Sequence, residues 1–93
     1  MTKQEKLDWI VQYISANGWQ DIFMEEFVDA YIEQCKPKKI ENIRLWGAQK
    51  VPELGRYLGE LYKQGKLRRF TVPLNWQQDG FPKWCYGYQL ADR

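Results

Sequence analysis

The chain contains no histidine, and only two of its 93 residues are cysteines. Without histidine, the side chain best suited to act as a base at neutral pH is missing. A zinc site is disfavoured as well, because cysteine and histidine supply most of its ligands. Cys35 and Cys85 have no other cysteine near them in the sequence, so we expect both to be buried, reduced thiols. We predict no metal and no cofactor.

Long apolar runs are also missing. No run approaches the roughly 18 residues that a membrane-spanning helix needs, and the polar residues 1–8 are unlike a secretory signal. We therefore expect a cytoplasmic protein without a membrane partner. A glycine-rich phosphate loop, a nucleophile elbow and a paired metal motif are absent, and the acidic residues follow helix-surface spacing. The sequence predicts that the protein is not an enzyme.

Aromatic residues are abundant, with 5 Trp, 6 Tyr and 4 Phe. This composition excludes a disordered chain, and the length fits one domain, residues 1–93. Charge is unevenly distributed, since residues 1–35 carry a net −5 and residues 36–93 a net +7. We predict a basic face despite the overall charge of +2, the alternative being a solvated surface with scattered salt bridges.

The first helix is predicted over residues 3–16. Thr2 and Glu5 match a capping box, in which each side chain bonds the other residue's backbone N–H. Gly18 ends the helix, because glycine readily adopts the left-handed conformation found there. Helical spacing predicts a buried stripe of Leu7, Ile10, Val11 and Ile14, widened by Trp9 and Tyr13.

Two further helices are predicted over residues 24–36 and 51–64. Pro37 disfavours helical geometry in the residue before it, whereas Pro52 suits the first position of a helix. Gly65 fits a C-terminal cap. The predicted buried residues are Met24, Phe27, Val28, Tyr31, Ile32 and Cys35 in one helix and Leu54, Leu58 and Leu61, flanked by Tyr57 and Tyr62, in the other.

Gly55 and Gly59 lie four residues apart and therefore share one face of the third helix. Each costs about 1 kcal/mol relative to alanine, so a packing or functional reason is expected. We expect a tight contact with the first helix or with the C-terminal hairpin. A dimer contact or a DNA contact is the alternative.

The remaining segments are less regular. Residues 19–23 form a link that can hold a brief strand. Residues 36–50 are basic and partly apolar, with a short helical turn expected near 39–44 and a turn at Trp46 and Gly47. Residues 67–90 form a β-hairpin with a long polar tip. Its last strand alternates, and we expect the face of Trp84, Tyr86, Tyr88 and Leu90 to pack on the helices as core.

Three helices followed by a hairpin is the order of a winged helix-turn-helix domain. The segment 54–69, LGRYLGELYKQGKLRR, resembles the third helix and first wing strand of such domains. Trp46 and Gly47, together with residues 80–90, are also similar to small proteins encoded by phages and prophages. The resemblance implies an α+β fold, a three-helix winged helix with a C-terminal two-stranded β-hairpin wing.

The resemblance further implies that the third helix enters the DNA major groove by its N-terminal end, where Gln49, Lys50, Glu53 and Arg56 are expected. The wing tip, the base of the wing and the segment after the second helix would contact the backbone. The expected DNA-binding residues are Lys36, Lys38, Lys39, Arg44, Gln49, Lys50, Arg56, Arg68, Arg69, Gln77, Gln78 and Lys83.

Two interpretations of function remain open. One is a protein that binds double-stranded DNA, as a regulator or accessory factor of a phage or mobile element. The other is a protein-interaction module on a winged-helix scaffold, such as a phage inhibitor of host machinery. Glu53 and Glu60, expected on the exposed face of the third helix, and the aromatic residues Trp19, Trp76 and Phe81 favour the second. A homodimer is compatible with both.

Overall fold

A computed structural model describes residues 1–43, 48–75 and 82–91. The protein is a small α+β domain whose three helices fall within one residue of the predicted boundaries at each end. Within the described residues the elements are α1 (Lys3–Asn17), β1 (Gln20–Asp21), α2 (Glu25–Cys35), β2 (Glu41–Ile43), β3 (Ala48–Lys50), α3 (Pro52–Lys63), β4 (Leu67–Pro73) and β5 (Trp84–Leu90).

Helix α1 begins and ends as its local sequence predicts. The backbone N–H of Glu5 donates to the Thr2 hydroxyl at 3.2 Å, and that of Thr2 donates to the Glu5 carboxylate at 2.8 Å. At the other end Gly18, with φ of 84°, donates its N–H to the carbonyl of Ile14. These bonds satisfy backbone groups that the helix itself leaves unpaired.

The hairpin of β4 and β5 belongs to a three-stranded antiparallel sheet in the order β1-β5-β4. The predicted brief strand within residues 19–23 is confirmed as β1, where Gln20 lies opposite Tyr88. Across the hairpin, Leu67 lies opposite Leu90 and Pro73 opposite Trp84. The backbone N–H of Leu74 extends the ladder by donating to the carbonyl of Lys83. The expected two-stranded wing is therefore joined by a third, short strand.

The prediction of a helical turn near residues 39–44 is wrong. Residues 41–43 form strand β2, which pairs antiparallel with β3 so that Glu41 lies opposite Lys50 and Asn42 opposite Gln49. Pairing with a second segment satisfies the backbone where the short sequence has no helical periodicity of its own. The expected turn at Trp46 and Gly47 lies outside the described residues.

The core lies where the three helices meet the inner face of the sheet. Each helix contributes the stripe that its spacing predicts, with Val11, Met24 and Ile32 at the core's edge. Tyr62, expected beside the buried stripe of α3, is instead 37% exposed. The sheet adds Leu67 and Tyr88, which are 2% and 6% exposed. The buried core residues of the helical part are Leu7, Ile10, Ile14, Phe27, Val28, Tyr31, Cys35, Val51, Leu54, Leu58 and Leu61.

The prediction for the ring face of β5 is only partly right. Tyr88 is buried, and Tyr86 and Leu90 pack against the core at its edge. Trp84 is instead 49% exposed and contacts Tyr86 edge to face, with ring centroids 4.9 Å apart. Trp84 is the first residue of β5, at the end of the hairpin opposite to the core residue Leu67, so the strand leaves the core before its pattern ends.

Both cysteines are buried free thiols, as predicted. Burial raises the pKa of each thiol to about 11, so both stay protonated at neutral pH. Cys85 is also hydrogen-bonded to Asp21. The Asp21 carboxylate accepts the backbone N–H of Phe23 at 2.8 Å and so holds the turn between β1 and α2.

Candidate functional site

The solvent side of α3 carries two positive charges. Arg56, Gly59 and Lys63 are spaced by three and then four residues, so they share one face of the helix. This face forms one wall of a groove that continues onto strand β4 at Arg69. The groove is lined by Gly55, Arg56, Gly59, Glu60, Lys63 and Arg69.

The two glycines of α3 do not make the tight internal contact that we expected. Among the described residues, a Cβ atom added at Gly59 would meet nothing within 4 Å, and one added at Gly55 would meet only the Ile22 side chain at 4.0 Å. The preferred expectation is therefore wrong. The glycines instead line the groove, and Gly59 leaves its wall without a side chain between Arg56 and Lys63.

Glu53 was expected on the exposed face of α3 and is found inside the helical bundle. Its carboxylate accepts a hydrogen bond from the Tyr31 hydroxyl at 2.5 Å and from the Lys6 ammonium group at 2.9 Å. The Lys6 and Glu53 side chains are only 13% and 16% exposed. This group of three side chains, here called the Glu53 network, ties α1, α2 and α3 together and removes the Glu53 charge from the solvent face.

The second acid of α3 also turns toward α1. Glu60 pairs with Lys3 at 2.9 Å, and the same lysine lies over the ring of Tyr57 at 5.8 Å from its centroid. Glu60 still lines the edge of the groove, but its charge is balanced by Lys3. Across α3 the acids thus face the neighbouring helix, whereas Arg56 and Lys63 face solvent.

The Glu53 network also shifts the pKa of the Glu53 carboxyl. Burial alone would raise the pKa of the Glu53 carboxyl, but the hydrogen bonds from Tyr31 and Lys6 and the charges of Lys6 and Arg56 outweigh it, so the pKa is lowered. A carboxyl whose pKa is lower in the folded protein contributes stability above its unfolded pKa of about 4.3 and loses it as the pH falls through the folded value.

We therefore expect the stability difference between the wild-type protein and Glu53→Gln to shrink as the pH falls below about 4.3, because a protonated carboxyl resembles the amide. Urea denaturation of both proteins between pH 7 and about pH 3 measures this difference. A difference that stays constant over that range would show that the Glu53 charge does not contribute to stability.

Arg69 was expected to contact DNA and is held by the protein itself. Its guanidinium lies 4.0 Å from the ring centroid of Tyr62 and 4.1 Å from that of Tyr86. A hydrogen bond to Arg69 also lowers the pKa of the Tyr88 hydroxyl, although burial, the larger effect, leaves that pKa raised overall. Arg69 thus joins the end of α3 to the sheet, and its charge is fixed at the edge of the groove.

The other predicted residues are spread over several elements. Gln49 and Lys50 lie on β3, before the first residue of α3, so the expectation that they belong to the N-terminal end of the helix is wrong. Lys36 ends α2 in the left-handed conformation, with φ of 49°. Lys38 and Lys39 follow it as exposed residues, and Lys39 lies 3.5 Å from Glu41.

Arg68 is exposed on β4, opposite Gln89, and Lys83 is exposed just before β5. Arg44, Gln77 and Gln78 lie outside the described residues, as do Trp76 and Phe81. Of the predicted DNA-binding residues, the groove on α3 therefore brings together Arg56 and Arg69.

Lys63 lines this groove but was not among the predicted site residues. The signal was present in the sequence, because Arg56 and Lys63 are seven residues apart and therefore lie almost on the same side of a helix. The prediction placed the DNA contacts at the N-terminal end of α3, where recognition helices usually meet DNA, and so did not include the last turn of the helix.

Within residues 1–43, 48–75 and 82–91, no group of three or more His, Cys, Asp or Glu side chains is placed to hold a metal ion. None of the helices in these ranges combines the length and apolar character needed to cross a membrane. Comparisons of the chain with protein families, with curated proteins and with solved structures gave no match.

Proposed function

We propose that the protein binds double-stranded DNA as a small winged-helix domain and that the solvent face of α3 contacts the DNA. The order of three helices, the hairpin of β4 and β5, and the strand order β1-β5-β4 support the winged-helix interpretation. In such domains the third helix and the hairpin lie against the duplex together.

The observation that carries the proposal is the separation of charge on α3. Glu53 and Glu60 bond to lysines of α1, whereas Arg56 and Lys63 form no ion pair with any residue that the structure describes. Arg69 adds a third positive charge across the groove. A face that presents unpaired cations while its acids are paired with lysines suits a polyanion, because phosphate neutralisation supplies most of the affinity of such interfaces.

The test is the salt dependence of binding to a fluorescently labelled duplex of about 20 base pairs, measured by anisotropy between about 50 and 200 mM salt. We expect the double variant Arg56→Gln, Lys63→Gln to bind on the order of tenfold more weakly and to reduce the salt slope by about two. The control, Lys36→Gln with Lys38→Gln, removes the same charge from the segment after α2.

A control that loses as much affinity as the α3 variant would show that the α3 face contributes no more than the segment after α2 and would overturn its assignment as the main site. Absence of binding even at the lowest salt would overturn DNA binding altogether. Circular dichroism and urea denaturation of each variant show that the comparison is made between folded proteins.

Protein binding is the second candidate, and the exposure of Trp84 favours it. This indole is 49% exposed and lies at a cleft between β5 and the β1–α2 turn, with Phe23 and Lys50. Tryptophan is enriched among residues that dominate protein interfaces. Trp19, the other described candidate, is 39% exposed but packs edge to face on Phe70.

A further inference from the structure

The side chains on the solvent face of α3 are poor in groups that distinguish base pairs. Helical spacing places Pro52, Arg56, Gly59 and Lys63 on this side, and all of α3 lies within the described residues. Glycine and proline side chains form no hydrogen bonds, and lysine acts mainly as a point charge toward phosphate. Arg56 is therefore the side chain on this face best suited to bond both acceptors of a guanine edge, since Glu60, at the edge of the groove, is paired with Lys3.

The amide side chains that could read adenine lie elsewhere. Gln49 is exposed on β3 rather than at the start of α3, and Gln64 is the residue that caps the other end of the helix. Asparagine and glutamine recognise adenine by paired hydrogen bonds, which requires the amide to enter the major groove beside the helix. Neither residue shares the face of Arg56, Gly59 and Lys63.

The third cation of the groove is also unsuited to reading bases. The guanidinium of Arg69 is held between Tyr62 and Tyr86, within about 4 Å of each ring centroid, and bonds to Tyr88. A side chain fixed in this way presents charge at one position and cannot extend to a base edge. Its environment suits a phosphate that approaches the groove, where charge matters more than hydrogen-bond pattern.

From these side chains we infer that α3 binds the sugar-phosphate backbone of duplex DNA without regard to base sequence. This inference rests on the proposed function and narrows it to one class of DNA binding. Because Gly55 and Gly59 carry no side chain, a strand of the duplex can approach the backbone of α3 beside the cations. Affinity then depends on the number of phosphates neutralised and not on which bases lie beneath them.

The first experiment measures the wild-type protein on three labelled duplexes of equal length, one rich in A·T pairs, one rich in G·C pairs and one mixed. We expect affinities that agree within about threefold and equal salt slopes, as is usual for non-specific binding. Selection from a random duplex library should yield no consensus. A preferred sequence bound about 100-fold more tightly would overturn the inference while leaving DNA binding intact. Failure to bind any of the duplexes would overturn the proposed function itself.

The second experiment uses Gly59, which lines the open groove and where an added Cβ atom meets nothing within 4 Å outside the helix's own backbone among the described residues, so folding should be preserved. Gly59→Glu places a negative charge between Arg56 and Lys63, and we expect it to weaken binding to every duplex by the same factor, on the order of tenfold. Gly59→Gln has nearly the same shape without the charge and should bind much more tightly than Gly59→Glu. A Gly59→Glu variant that changes the order of preference among the duplexes would contradict backbone binding.

Discussion

Replacing Glu53 by glutamine is expected to lower the free energy of unfolding by about 2–3 kcal/mol. The carboxylate accepts hydrogen bonds from both Tyr31 and Lys6, and Tyr31 is fully buried. Glutamine has one carbonyl oxygen and no charge, so it leaves the Lys6 ammonium group largely buried without its counter-ion. An uncompensated buried charge costs more than the hydrogen bond that held it.

Glu60→Gln is the matched control, because Glu60 lies on the same helix and also pairs with a lysine of α1. Its side chain and that of Lys3 are 36% and 55% exposed, so water screens the pair. We expect Glu60→Gln to change stability by less than about 1 kcal/mol. Urea denaturation at neutral pH gives both values. Equal effects of the two substitutions would show that the burial of the Glu53 network adds nothing to its strength.

Gly87→Ala is expected to destabilise the protein by about 1–3 kcal/mol, through crowding on the outer face of the sheet. A Cβ atom at this position would lie 2.6 Å from the Phe70 ring and 2.9 Å from the Trp19 ring. Phe70 lies directly opposite Gly87 in the ladder, and its ring contacts Trp19 edge to face with centroids 5.1 Å apart. Neither ring can move aside without disturbing this contact, so we expect the added methyl group to separate the Trp19 and Phe70 rings.

Gly59→Ala provides the contrast, because its added methyl group meets nothing within 4 Å among the described residues. Alanine is favoured over glycine inside a helix, and we expect this variant to gain about 0.5–1 kcal/mol. The two substitutions add the same atom and should therefore shift the thermal midpoint in opposite directions. A Gly87→Ala variant as stable as the wild-type protein would mean that the two rings repack freely.

The helices could be predicted from the sequence because their signals are local. The capping box of Thr2 and Glu5 and the stop at Gly18 act within a few residues, and apolar spacing marks the buried stripes. Strand β1 was expected only as a brief strand, since two residues carry no periodicity. Strand β2 was mistaken for a helical turn, because its partner, β3, provides the backbone hydrogen bonds that decide its conformation.

The candidate site was predicted less well, because spacing along a helix does not say what lies beside each face. Glu53 and Arg56 are both polar residues of α3, and the sequence assigned both to solvent. Only the packing of α1 and α2 against α3 brings Lys6 and Tyr31 to Glu53 and leaves Arg56 outside. The cations of the groove likewise come from α3 and from β4, which meet only through the fold.

The sequence by itself determined three helices, a C-terminal hairpin and an excess of positive charge after residue 35. Its lack of histidine also removed the side chain most often used as a base or metal ligand near neutral pH. The tertiary structure alone decided that Gly55 and Gly59 border an open groove and that the acids of α3 face α1. The physical reason is the distance along the chain over which each interaction acts. Helix caps and apolar periodicity act within a turn or two of helix, whereas charge pairing and groove shape depend on elements that are distant in sequence.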